Sequence, residues 1–237
     1  MKKLLFIAAS ICAVISVVSC GTSKKSASGL SEKAVTSGLD EKVQEWKERG
    51  FSTTGAMSTF TMRDLLEAHN KKIQENPDNI VSLYGNGIGP DKTTARFDAL
   101  NSAATVYATT AGSVVSGGMS AQFSNFGEMG KKLMGAYTQK VQEYIMPVMK
   151  ESVAVVRVIP NGEPNAGKYE IEAYYLVDEA KAVTARKNAM DAALKETATE
   201  QVFGSAVDEW VKKFVAPAAA LGFFASTAAG FGGAGAT

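Results

Sequence analysis

Between Val153 and Val177 the chain carries two strand-forming runs around a segment crowded with turn formers, and no other stretch constrains the fold as much. Val153 to Ile159 is rich in β-branched residues, which suit a pleated backbone. Pro160-Asn161-Gly162-Glu163-Pro164-Asn165-Ala166-Gly167 then reverses the chain. Lys168 to Val177 alternates, with Tyr169, Ile171, Ala173, Tyr175 and Val177 in one set and Lys168, Glu170, Glu172 and Tyr174 in the other. Period two sends the sets to opposite faces of a sheet. The pattern predicts an antiparallel hairpin with an apolar face on the core and a polar face in water.

A third strand is expected over residues 79–88, where Ile80, Val81, Leu83 and Tyr84 precede Gly85, Gly87 and Gly89. Helical spacing dominates elsewhere. Ser31 to Arg49 is polar, with Val35, Leu39, Val43 and Trp46 on one side, and Gly50 ends it. Thr61-Met62-Arg63-Asp64 opens a helix as a capping-box variant. The apolar face of that helix is Met62, Leu65, Leu66, His69 and Ile73, and Pro77 stops it. From Asp91 to about Val115, Phe97, Leu100, Ala104, Tyr107, Ala111 and Val114 make one stripe, with Ala95, Ala99 and Ala103 as a small-residue face beside it. Ser116 to Gly130 holds four glycines and is expected to be a loop or a helix break. Lys131 to Lys150 is helical again, and Pro147 kinks or ends it. Asp178 caps a last helix to about Glu200, with a continuation after Gly204 through Val207, Trp210, Val211 and Phe214.

The expected fold is α+β, a small antiparallel sheet of about three strands packed against long Ala-rich helices. Residues 31–77 form a helical N-terminal extension, 78–214 the α+β domain, and 215–237 a Gly/Ala-rich low-complexity tail without a charge. Ala95-Arg96-Phe97-Asp98-Ala99 through Ala104 after a Gly-bearing strand, with Tyr169-Glu170-Ile171-Glu172-Ala173 closing the sheet, resembles the lipoprotein-20-like family of bacterial envelope proteins. The resemblance covers about residues 78 to 200. It implies a small α+β domain attached to the outer membrane, without an established catalytic site.

The N-terminus has its own logic. Met1-Lys2-Lys3 is a basic start, and Leu4 to Val18 is an apolar run of 15 residues. As a helix it rises about 22 Å, short of a hydrocarbon core of about 30 Å, so it reads as a signal peptide over residues 1–19. Val17-Val18-Ser19-Cys20-Gly21 then reads as a lipobox, with cleavage between Ser19 and Cys20 and lipidation of Cys20. The other cysteine, Cys12, leaves with the leader, so Cys20 has no disulfide partner. Residues 20–30 are rich in Ser, Lys, Gly and Thr, and make a flexible tether. By resemblance to other lipoproteins, Gly21 in place of an aspartate implies outer-membrane rather than inner-membrane retention, facing the periplasm.

Loss of Lys2 and Lys3 with the leader leaves 23 basic against 24 acidic residues, a net of −1. That balance carries no footprint for nucleic acid. His69 is the one histidine and suits a core or boundary position. With no second histidine or free cysteine to join it, no zinc site is expected, and no Gly-x-Ser-x-Gly elbow is present. Gly85-Asn86-Gly87-Ile88-Gly89-Pro90 lacks the Gly-Lys-Ser/Thr ending of a phosphate loop and reads as a strand-to-helix turn. Glu170 and Glu172, about 7 Å apart along one strand face, have a glycosidase-like separation, but alternation explains them as solvent positions. Catalytic, metal and cofactor residues are therefore not expected. The expected function is non-enzymatic: a lipid-anchored outer-membrane lipoprotein with a binding or structural role and an envelope protein as partner. The alternative is a periplasmic small-ligand or cell-wall-binding carrier.

Overall fold

The computed structural model of the chain describes residues 32–122 and 127–199. The fold is α+β, as the sequence predicts, with a four-stranded antiparallel sheet between two helical layers. In chain order the elements are α1 (Glu32–Glu48), β1 (Ser52–Thr53), α2 (Met62–Glu75), β2 (Ile80–Gly89), α3 (Lys92–Gln122), α4 (Gly127–Ile145), β3 (Lys150–Val158), β4 (Tyr169–Asp178) and α5 (Glu179–Thr197). The sheet order is β1-β3-β4-β2. The fourth strand is β1, whose two residues pair with Val155 and Val156. Two residues have no periodicity to detect.

Local signals act where they were read. Thr61 and Asp64 exchange the reciprocal bonds of a capping box at the start of α2. Asp178 accepts from the Lys181 amide and opens α5. Gly50, at a φ of +80°, turns the chain out of α1 into β1.

One face of the sheet carries Val81, Leu83, Ile171, Ala173, Tyr175 and Val177 and packs under α3, α4 and α5 in the larger core. Gly85, Gly87 and Gly89 lie on that same face, within β2, so the segment read as a strand-to-helix turn is strand. Their missing side chains admit α3. A Cβ on Gly85 would lie 1.9 Å from the Ala99 carbonyl oxygen, and one on Gly87 would lie 2.2 Å from that of Ala95. Ala95, Ala99 and Ala103 are fully buried in this seam. Phe97 points to solvent instead, because the sheet takes the small-residue side of the helix rather than the side that holds Phe97.

The helix α3 also outruns the expected break, staying helical through Ser116–Gln122. Val115 and Met119 are buried in the larger core with Leu133, Met134 and Tyr137 of α4. Burying such side chains contributes about 1.5–3 kcal/mol each, which outweighs about 1 kcal/mol for each of Gly117 and Gly118.

The second face of the sheet is the larger departure. Instead of meeting water, it is covered by α1 and α2 in a smaller core of Leu39, Val43, Trp46, Phe51, Leu65, Leu66, Val153, Val155 and Tyr174. The helices α1 and α2 supply this layer, and the stretch between them supplies the strand β1.

Candidate functional site

Alternation along β4 sends Glu170, Glu172 and Tyr174 to the face that α1 covers. Glu172 is 1% exposed and Glu170 6% exposed, so both are buried and the solvent reading of this pair is corrected. The donors that make burial tolerable come from three parts of the chain. Lys42 and Trp46 of α1 and Arg49 just past its end recur at four- and three-residue steps and so share one side. The Trp46 indole Nε1 donates to Glu172 at 2.8 Å, and the Lys42 ammonium lies 3.2 Å from the same oxygen. The Arg49 guanidinium bonds the other oxygen of Glu172 and reaches Glu170 at 2.9 Å. Arg157 on β3 donates to Glu170 at 2.5 Å, and Asn86 on β2 donates at 2.9 Å. At the rim, Glu45 pairs with Lys42 and Arg49, and Glu163 pairs with Arg157.

Burial pushes the Glu172 carboxyl upward, but the Trp46 hydrogen bond and the Lys42 and Arg49 charges outweigh it, leaving the pKa below the usual carboxylate range. Such a group stays ionised and gives no proton near neutral pH. Every carboxylate oxygen of the pair is engaged by a donor. The arrangement suits neither a general acid nor a nucleophile. It fastens α1 to the sheet.

His69 of α2 is 2% exposed, a core histidine. Its Nδ1 lies 2.5 Å from the Ser152 hydroxyl and its Nε2 lies 2.9 Å from that of Ser82. Both ring nitrogens therefore face hydroxyls rather than an orienting carboxylate, which is not the geometry of a catalytic triad. Burial, reinforced by the Lys72 charge, lowers its pKa to about 4. The unfolded chain then binds a proton below about pH 6.5 that the native state refuses. Stability is complete above that pH and falls as the pH drops toward 4. We expect denaturant titrations to show a loss of about 2 kcal/mol between pH 7 and pH 5 from this group. Glu151 and Glu179, whose pKa values are raised by burial, contribute with the opposite slope. The relevant comparison is thus with His69→Gln, which should lose the histidine component; equal pH slopes would contradict the assignment.

A second buried charge lies in the larger core. Arg186 of α5 is 0% exposed, 2.6 Å from Glu179, and also donates to the Tyr107 hydroxyl of α3. Burial raises the Tyr107 pKa to about 12 although the Arg186 charge opposes it. The sequence signal was the position of Arg186, one turn from both Ala182 and Met190 on the apolar side of the helix. Tyr174 and Tyr175 are both buried, Tyr174 in the smaller core and Tyr175 in the larger.

Ser19 and Cys20, the sites read for cleavage and lipidation, lie outside the described residues, as does the 215–237 tail. Among the described residues no group of three or more His, Cys, Asp or Glu side chains could hold a metal ion. No described helix is long and apolar enough to cross a membrane. Comparison of the chain with protein-family models, curated proteins and solved structures finds no match.

Proposed function

We propose that this chain is a non-enzymatic bacterial outer-membrane lipoprotein, held to the periplasmic side by acyl chains on Cys20, whose α+β domain binds or scaffolds another envelope protein. The observation that carries the reading is Val17-Val18-Ser19-Cys20-Gly21 directly after the apolar run Leu4 to Val18. Each acyl CH₂ buried in lipid contributes about 0.8 kcal/mol, so two or more chains hold the protein without further membrane contact. The internal pairing of Glu170 and Glu172 supports a binding or structural role, since these acids serve the fold. A ligand carrier would need a cleft between sheet and helices. At the α3–β2 seam even a methyl group would collide with the helix backbone.

Cys20→Ala tests the anchor. Membrane fractionation with metabolic fatty-acid labelling should show the variant losing its label and moving to the soluble fraction. Full membrane retention without label would overturn the reading and assign attachment to another segment.

A further inference from the structure

The two edges of the sheet are built differently. At the β3 side the edge is guarded by a two-residue outer strand, by a register shift between Glu151 and Val153, and by the charges of Lys150, Glu151 and Arg157. Shortness, bulges and charge are the devices that stop one sheet from pairing with another. The β2 edge has none of them. Its ten residues pair with β4 in unbroken register from Ile80 to Gly89, without a charged side chain or a proline. Among the described residues no further strand meets its outer side, where the Ile80 amide at its start donates to the Asn76 carbonyl that ends α2.

The neighbouring surface is equally uncharged. From Asn101 to Gln122, 22 residues of α3 include no Asp, Glu, Lys or Arg. Arg96, on one flank of α3, reaches across to Glu151 on β3. The opposite flank, with Ser102, Val106 and Thr109, therefore borders the open edge. Val106 is 57% exposed there.

The side chains of β2 are complementary to a reversed copy of themselves. Ile80, Ser82, Tyr84, Asn86 and Ile88 on the α1 side read apolar, polar, tyrosine, polar, apolar in both directions. On the α3 side Val81 and Leu83 are large, and Gly85 and Gly87 are bare. We propose that β2 is a homotypic dimer edge, where two copies pair antiparallel about a two-fold axis at Tyr84 to make one eight-stranded sheet. In this register each Ile80 faces the second copy's Ile88, Ser82 faces Asn86, and Tyr84 faces Tyr84. Val81 and Leu83 lie beside the second copy's Gly87 and Gly85, so large meets small. No like charges meet, and about eight to ten backbone hydrogen bonds form. The small flanks of the two α3 helices allow them to lie side by side at about 8–10 Å.

The test uses the full-length protein in detergent. Sedimentation equilibrium of the wild type, corrected for bound detergent, should return twice the chain mass; a monomer at tens of micromolar overturns the proposal. Directly opposed strand residues place their Cβ atoms about 4.5–5.5 Å apart, close enough for a cysteine pair to reach disulfide geometry with slight adjustment. In a Cys12→Ser/Cys20→Ala background, Tyr84→Cys should oxidise to a disulfide-linked dimer in most of the chains. Tyr144→Cys, similarly exposed but on α4, should remain uncrosslinked. If Tyr84→Cys disturbs the fold, a mixture of Ile80→Cys and Ile88→Cys chains reports the same register. A wild-type dimer in which neither design crosslinks selectively would place the contact on another face and overturn the proposal.

Discussion

Replacing Gly87 with alanine is expected to cost about 3 kcal/mol or more, a large share of the stability of an ordinary domain. The added Cβ would lie 2.2 Å from the Ala95 carbonyl oxygen and 2.3 Å from the Ala99 amide nitrogen. Both are backbone atoms within α3, so no side-chain rotation relieves the collision. The helix must lift from the strand, and the buried contacts of Ala95, Ala99 and Ala103 are lost with it. Gly135→Ala makes the opposing comparison: this glycine sits on the exposed side of α4 with nothing within 4 Å of the added carbon. There alanine removes backbone freedom from the unfolded chain and should stabilise by up to about 1 kcal/mol. Urea midpoints of the two variants should move in opposite directions. A small shift for Gly87→Ala would mean that α3 does not rest on the glycines.

Glu172→Ala should cost about 3–5 kcal/mol, the range for removing one partner of a buried ion pair. Three donors depend on this carboxylate: the Trp46 indole, the Lys42 ammonium and one arm of Arg49. Alanine leaves the indole without its acceptor and strands positive charge against the sheet. Glu172→Gln keeps the shape and should retain part of the loss. Hydrogen exchange should show amides of α1 losing protection before those of α4. The same clasp responds to acid. Because the folded pKa of Glu172 is depressed, its contribution is present above the unfolded carboxylate range and is lost as pH falls through the folded value. A change below about 1 kcal/mol for Glu172→Ala would show the network to be incidental to stability.

These two sites also mark where reading the sequence succeeds and where it stops. The hairpin, the Thr61–Asp64 box and the Asp178 cap were legible because each signal and its effect lie within a few residues. Glu170 and Glu172 were read as solvent positions because alternation says only that they oppose the apolar set. What covers them is α1, more than 120 residues earlier in the chain. Lys42 and Arg49 look like ordinary solvent-facing cations, and Trp46 like one more apolar residue, until the acids facing them are known. Gly85, Gly87 and Gly89 carried the usual meaning of glycine, a turn, and only the alanines of α3 give them their packing role. Arg186 stood at an apolar helix position, and its significance required Tyr107 and Glu179 to be placed beside it.

The position of β4 has a consequence for how the chain is made. Among the described residues it is the last strand in sequence, and it is an inner strand in space, joined to both β3 and β2. Ile80 finds its partner in Asp178, and Gly89 finds its partner in Tyr169. Contacts closed across such long loops form late. During synthesis β2 is complete long before the strand it needs has emerged, so β2 cannot join the sheet until β4 is made. For a chain exported as proposed, that delay keeps the polypeptide threadable until its final third has been made, and ties folding to the far side of the membrane.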